Sequence, residues 1–452
     1  MKEVRILSPC GILGYGFPES SFLRGMDENP HGIIVDAGST DAGPHKLGAG
    51  VSIVSRRALK KDLEIMIKNG VPRKIPIIIG SAGGAGARIH VESTMELIRE
   101  ILNEQRLPAK IAVIWADIAK EEVLSAHQAG KITPMSPNVP AITEKNLSET
   151  NGIVAQMGHE PILEALRGGA DIMVCGRAYD PSPFAALGIF YGKDPGLSYH
   201  LGKILECGAL CAEPGTTKDS ILGTIKDSSF TVKSLNPSRT CTEISVAAHT
   251  FYEKEHPYLL HGPGFSLDLS ECRFTSIGDG QIEVTNSKYI SSEKYYIKLE
   301  GARQTAFRTV VIAGVRDPIL LENIEEIEQQ VEDQVREYYP EIQADSYSIN
   351  FYNYGMNAVL GTRETEEFKG HEIGVLLEVV ADTQEMASSL CSTARSTFLH
   401  FGHEKRKSTA GNLAFPFAPS DLEFGPVYEF SVYHLMEISE SPFVIEYSQE
   451  GM

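Results

Sequence analysis

In the first half of the chain the apolar residues come in short runs divided by amphipathic stretches. Residues 4–7, 33–35, 75–79, 111–115 and 171–174 are continuous enough to be buried strands. Between them Leu59, Leu63, Met66 and Ile67 share one helical face, and Met95, Ile98, Ile101 and Leu102 share another. Strands alternating with helices in this way predict an α/β domain over residues 1–220, with a mainly parallel, Rossmann-like sheet covered on both faces. Near residue 221 the texture changes. Blocks at 242–250, 271–276, 281–285, 295–299 and 305–313 read as strands, with Gly278-Asp279-Gly280 as a turn. Residues 317–339 read as a helix with Ile324, Ile327, Val331 and Val335 as its stripe and Pro318 in its first turn. Strands at 346–352 and 372–380 and a helix at 383–401 complete an α+β domain over 221–452, whose Pro- and aromatic-rich tail is expected to pack as an extended segment.

Composition narrows the classes of function. A chain of 452 residues is too long for one ordinary core, so two domains are expected. A formal charge of −19 argues against a nucleic-acid surface, which needs clustered Lys and Arg. No run approaches the ~18 apolar residues of a membrane span, and the first residues carry no secretory cleavage pattern. The seven cysteines are scattered, and the C-x3-C spacing of Cys207 and Cys211 fits neither a redox pair nor a common zinc knuckle. The expected location is therefore cytoplasmic and reducing, with no membrane partner.

Candidate chemistry gathers where the first-half strands end. The stretch 32–50 runs from an apolar strand into Asp36, Ser39, Thr40, Asp41 and His45 among several glycines. Such a loop is where open α/β sheets place ligands, although a solvated Asx-turn connection has the same composition. The loop 80–86, with Ser81, Gly83 and Gly84, sits between a strand and a helix and suits an anion or carbonyl held by backbone N–H groups. It matches neither a dinucleotide fingerprint nor a Walker A motif, and close helix–sheet packing is its alternative. Arg177 at the next strand end either anchors a carboxylate or phosphate, with Asp180 close by, or forms an internal ion pair with Asp180 or Asp171. His159 lies at a helix start, where the dipole favours a neutral base, although a lone histidine there is also read as a cap or core residue. Cys175, Asp117 and the Glu206-Cys207 helix end are further polar residues at strand or helix ends, and Arg303, Asn353, Asn357 and Arg395 stand in apolar or glycine-rich surroundings.

Asp36, Asp41 and His45 form a hard donor set that would suit Mg²⁺, Mn²⁺ or Zn²⁺. His31 lies at the far end of the strand, about 16 Å away at ~3.3 Å per residue. The ordering cost of ligands drawn from one flexible loop leads to an assignment of no metal, and no cofactor is assigned.

The blocks DAGSTDAGPHKLGAG, GSAGGAGA, GGADIMVCGRAYDPS, LGKILECGA, KLEGARQTAFRTVVIAGVRDP and TAGNLAFPFAPSDLEFGPVYEF, in this order, resemble the acyclic terpene utilisation (AtuA-like) protein family over roughly residues 4–436. The namesake of that family lies in bacterial citronellol and geraniol breakdown, which runs through acyl-CoA intermediates. Relatives are encoded beside CoA transferases, acyl-CoA enzymes and a small partner protein, and some carry an appended domain that this sequence is expected to lack. The resemblance and the loops together suggest an enzyme of small carboxylic acid or acyl-CoA catabolism, acting by hydration, dehydration or isomerisation. Asp36, Asp41 and His159 would move protons. Ser39, Thr40, Ser81, Gly83, Gly84, Arg177 and Asp180 would hold a carboxylate or CoA thioester. The alternative is a non-catalytic binding or scaffold subunit that acts with a small partner protein. A homo-oligomer is expected, because the apolar tail is easier to bury against a neighbour than to leave wet, with burial against the chain's other domain as the alternative.

Overall fold

A computed structural model describes residues 2–38, 43–252, 256–407 and 410–451. The chain forms two compact units, one of residues 1–303 and 430–452 and the other of residues 304–429. The first unit begins β1 (Val4–Ser8), α1 (Glu19–Asp27), β2 (Gly32–Asp36), α2 (Gly43–Ala49), α3 (Arg56–Gly70), β3 (Ile77–Gly80), α4 (Arg88–Gln105) and β4 (Ala109–Ile114). It continues α5 (Lys120–Gln128), β5 (Ile132–Pro134), α6 (Glu144–Glu149), β6 (Gly152–Ala155), α7 (Glu160–Arg167), β7 (Ile172–Cys175), α8 (Ser182–Phe190) and α9 (Pro195–Leu205). Then follow β8 (Ala212–Glu213), β9 (Ile221–Ile225), β10 (Ser229–Ser234), β11 (Thr240–Cys241), α10 (Glu243–Thr250), β12 (Leu259–Gly262), β13 (Phe265–Asp268), β14 (Arg273–Gly278), β15 (Gln281–Thr285) and β16 (Lys288–Ser291). Strand β17 (Tyr295–Val315) passes from this unit into the second.

The main sheet of the first unit has the order β14-β15-β10-β9-β1-β2-β3-β7-β4-β21, where β21 is Ile445–Glu450. Strands β1, β2, β3, β7 and β4 pair in parallel. The strands flanking them pair antiparallel. The sheet is therefore mixed, which corrects the mainly parallel, Rossmann-like expectation. The difference arises past residue 220, where β9 and β10 add to the free side of β1 and so join the first sheet. The compact units divide at 303/304 and 429/430. The tail contributes β21, which closes the other side against β4.

Both faces of the parallel core are buried, so its strands read as continuous apolar runs. On one face Ile33, Val35, Ile79 and Val174 pack with Phe22 and Met26 of α1, Leu63 and Met66 of α3, and Val91 and Ile98 of α4. On the other, Ile34, Ile78 and Met173 pack with Ile162 of α7, Phe184 and Leu187 of α8, and Leu201 of α9. The helix leaving β3 thus lies on one face and the helix leaving the adjacent β7 on the opposite face. Chains that diverge in this way open a crevice at the carboxyl ends of the two strands, the usual ligand position of an open α/β sheet.

Residues 242–250 fold as α10, not as a strand. Thr242 accepts from the Ser245 amide at 3.0 Å while Ser245 Oγ accepts from the Thr242 amide at 2.9 Å, a reciprocal cap that fixes the helix start. The alternation of Ile244 and Val246 looked strand-like, yet Ile244 is exposed and only Val246 is buried. Among the described residues no helix is long and apolar enough to cross a membrane.

In the second unit β17 pairs antiparallel with β19 (Ile373–Ala381), and β19 with β18 (Tyr347–Tyr354). The unit also holds α11 (Pro318–Glu322), α12 (Ile324–Tyr338), α13 (Gln384–His400) and the start of β20 (Asp421–Ile438). Helices α12 and α13 cover one sheet face through Ile327, Val331, Leu390 and Phe398 against Val311, Ile349 and Leu377. The helix expected over 317–339 is interrupted at Asn323, whose side-chain amide donates back to the Ile319 carbonyl at 2.7 Å. Within this layer the Asn353 amide donates to Glu328 Oε2 at 3.2 Å, whereas Glu328 Oε1 and Asn353 Oδ1 are buried without a partner among the described residues.

Candidate active site

Ser81 follows β3 with a φ of +48°, which turns the chain sharply so that its hydroxyl meets the segment after β7. The loop beyond it is locked onto that segment. The amides of Ser81 and Ala82 donate to the Gly176 and Cys175 carbonyls, and the Arg177 amide donates back to Gly86. Gly84 and Gly86 amides also donate to carbonyls inside the loop. Four of the N–H groups that the sequence offered to an anion are thus used by the protein itself. Gly86 has a φ of +66°, and a Cβ there would lie 2.2 Å from the Arg177 nitrogen, so only glycine fits. Gly83 and Gly84 pack closely on His90 and Ile53.

Arg177 is buried. Its Nε donates to Glu300 Oε2 at 3.0 Å, and its Nη1 donates to Ser81 Oγ at 3.0 Å, Asp180 Oδ1 at 3.1 Å and the Ala178 carbonyl at 3.2 Å. No described residue accepts from Nη2. Of the two aspartates considered for Arg177 it takes Asp180, while Asp171 accepts from the Lys110 amide at 2.8 Å. Glu300 comes from β17, opposite Val154 of β6, and also receives Lys298 Nζ at 2.8 Å. Burial acts to raise the Glu300 carboxyl, but Arg177 and Lys298 outweigh it and hold it at about 2.

Asp36 ends β2 and is 4% exposed. One carboxyl oxygen accepts from the Gly38 amide, and Oδ1 has no partner among the described residues. Burial first, then the Asp180 carboxylate, lift it well above the ordinary carboxylate range against the pull of Arg177. A Cβ on Gly38 would come within 3.0 Å of Arg177 Nη1 and 2.9 Å of Ser81 Cβ, so the chain after Asp36 passes directly over both.

A second buried pair arrives from the end of α9, where Lys203 contacts Glu206 one turn on. Burial works against the charge on Lys203, but Glu206 and Asp180 overcome it and push its pKa up. Ser8 at the end of β1 donates to the Leu205 carbonyl at 2.8 Å, which fixes this helix end over the strand ends. Three cations (Arg177, Lys203, Lys298) and four carboxyls (Asp36, Asp180, Glu206, Glu300) therefore share one buried cluster. With Asp36 protonated its formal charges balance. Tyr179 closes one side, and its buried hydroxyl has no partner among the described residues.

The structure thus brings together Asp36, Ser81, Arg177 and Asp180. Ser39, Thr40 and Asp41 lie outside the described residues. His159 stands at the start of α7, 3.0 Å from the Tyr199 hydroxyl and 3.6 Å from Glu160, without contact to the ion cluster. Burial lowers its pKa, which favours the neutral ring. Cys175 is buried, and burial pushes its thiol up, away from a reactive thiolate. Asp117 accepts from the Arg88 amide at 3.1 Å and so caps α4. His31 Nδ1 accepts from the Arg5 amide at 3.0 Å at the opposite end of β2. Arg303, Asn357 and Arg395 bond to Glu149, Glu325 and Asp421. Glu300, Lys298 and Lys203 were not singled out from sequence. The one available signal was two charged residues, Lys298 and Glu300, alternating with apolar ones along a strand. Among the described residues no three His, Cys, Asp or Glu side chains converge as a metal cage requires.

No curated protein and no solved structure matches this chain. A family model, that of the acyclic terpene utilisation family protein AtuA, matches residues 56–403. The matched span begins after Asp36 and includes Ser81, His159, Arg177, Asp180, Lys203, Glu206 and Glu300. It is shorter than the 4–436 over which the sequence blocks resemble that family, and it covers most of the chain. The chain belongs to the acyclic terpene utilisation (AtuA) family.

Proposed function

We propose that the strand-end cluster is the active site of a cytoplasmic enzyme that moves a proton on a small carboxylic acid or its CoA thioester, in hydration, dehydration or isomerisation. The supporting observation is Asp36. A buried carboxyl with a raised pKa and an oxygen without a partner among the described residues, at the crevice between diverging helices, has the properties of a general acid or base. In this reading Asp36 Oδ1 gives or takes the proton. Arg177 presents Nη2 to the substrate carboxylate or carbonyl, while Ser81, Asp180 and Glu300 hold the guanidinium in one orientation. His159 and Asp41 remain candidate proton carriers.

The test is a thermal-shift screen of hydroxy acids and acyl-CoA thioesters, followed by turnover assays of each ligand. A ligand at about 100 times its dissociation constant stabilises the folded state by ~2.7 kcal/mol. Turnover in the wild type that is lost in Asp36→Asn supports the proposal, and undiminished turnover in that variant refutes it. One observation favours the scaffold alternative: most of the Arg177 guanidinium is already occupied by protein groups, as in a purely structural ion network. Co-purification with a small partner protein, and activity only in the mixture, would decide for that alternative.

A further inference from the structure

Within the second unit, β18 ends its sheet and, among the described residues, pairs along one side only, with β19. Its register with β19 is unbroken over eight residues, and its sequence, YSINFYNY, contains no proline and no charged residue. Among the described residues the other sheet edges are blunted or short, with β12 (LLHG) four residues long and β8 and β11 two each. Strand β14 carries Arg273 and a register shift between Ser276 and Gly278. Strand β21 carries Glu446 and Glu450, β16 carries Lys288, and β5 is three residues long and ends in Pro134. Charge, bulge, brevity and proline are the devices by which sheet proteins prevent edge-to-edge pairing, and β18 has none of them.

A bare edge presents a row of main-chain donors and acceptors, and the chemistry that satisfies such a row is another strand. We infer that β18 is a dimerisation edge, where β18 of a second copy of this chain adds antiparallel across a two-fold axis and continues the sheet. A second copy fits better than a foreign peptide because antiparallel pairing of identical strands is self-complementary by symmetry. The strand also has no charge with which to select a different partner. Tyr352 and Tyr354 are 37% and 53% exposed, and Val359 and Leu360 just beyond are 83% and 46% exposed. These side chains supply the apolar cover that a strand pair alone would lack.

Sedimentation velocity of the full chain is expected to show a species of twice the 49.4 kDa chain mass. Hydrogen exchange is expected to show protection at consecutive β18 amides, where a free edge protects only alternate ones. Ser348 and Tyr352 are exposed, so the double variant Ser348→Lys/Tyr352→Lys places like charges in the pairing without touching the core. It should sediment as a monomer with an unchanged circular dichroism spectrum and melting temperature, and alternate β18 amides should then exchange quickly. A monomeric wild type would overturn the inference. So would a dimer that survives in the folded double variant, since it would use another surface.

Discussion

Glu328 offers a sharp test of how burial and hydrogen bonding act together in this protein. It lies on α12 at 8% exposure, and Asn353 of β18 lies beside it at 3%. The Asn353 amide donates to Glu328 Oε2, which leaves Glu328 Oε1 and Asn353 Oδ1 buried without a partner among the described residues. Protonation supplies the missing donor, because a neutral acid can return a hydrogen bond from Oε1–H to the Asn353 carbonyl oxygen. Burial, with a further push from Glu325, moves the Glu328 carboxyl from 4.5 up to about 7. A folded-state value above the unfolded one means that stability is complete below the unfolded pKa and is lost as pH rises through the folded pKa. The window here is about pH 4.5 to 7, and the loss on passing through it is roughly 3 kcal/mol as an upper bound. In Glu328→Gln the side-chain amide donates to Asn353 and its carbonyl accepts, so the neutral pattern becomes permanent. At pH 8 the variant should be more stable than the wild type by about 2–3 kcal/mol, and at pH 4.5 the difference should fall within ~1 kcal/mol. Hydrogen exchange of α12 amides reads this locally, since the single tryptophan, Trp115, lies in the other unit. Equal protection of α12 at pH 5 and pH 8 in the wild type, or a less stable variant at pH 8, would refute the reasoning.

Four further variants test the strand-end cluster and the packing of its glycines, with Gly278 of β14 as the comparison. Arg177→Met takes the cation from half-buried Asp180 and one of the two cations that hold buried Glu300, so it should cost about 3 kcal/mol in denaturant unfolding followed by Trp115 fluorescence, whereas a change under ~1 kcal/mol would mean that the ion network is not structural. Gly86→Ala should cost roughly 4 kcal/mol or more, because its Cβ would sit 2.2 Å from a backbone nitrogen at a φ of +66°. Gly278→Ala has open space around it and bears only the strain of its φ of +93°, so it should cost on the order of 1 kcal/mol, and equal melting temperatures for these two variants would contradict the packing described. Asp36→Asn mimics the protonated carboxyl, so it should match the wild type below the unfolded pKa of about 4 and exceed it increasingly as pH rises above that value, as read at pH 8. A variant less stable than the wild type at pH 8 would show that Asp36 is held as a carboxylate.

Much of the first unit was legible because parallel strands buried on both faces leave unbroken apolar runs, as in 33–35 and 171–174. The strand ends were legible for the same reason, and with them Asp36, Ser81 and Arg177. Strand order was not. That β7 inserts between β3 and β4, or that β9 crosses the apparent boundary at 220 to pair with β1, depends on contacts between segments far apart in the chain. The Arg177–Asp180 pair could be read locally at a spacing of three residues, but Glu300 lies 123 positions from Arg177 and left only a weak signal. At 242–250 two apolar residues in alternation imitated a strand, and the polar cap at Thr242 and Ser245 decided for a helix. The raised pKa of Asp36 was beyond reach from sequence, since it follows from burial and from the carboxylates that the fold gathers around it.

The central claim is that the cluster moves a proton through Asp36. Its most direct test is the pH profile of turnover for whichever hydroxy acid or acyl-CoA thioester the wild type converts, measured beside Asp36→Asn shown to be folded by its circular dichroism spectrum. The expected result is a wild-type profile governed by a group that titrates well above the ordinary carboxylate range, and a drop of about 100-fold or more in the variant at every pH. Turnover in Asp36→Asn within a few-fold of the wild type, with an unchanged pH profile, would contradict it.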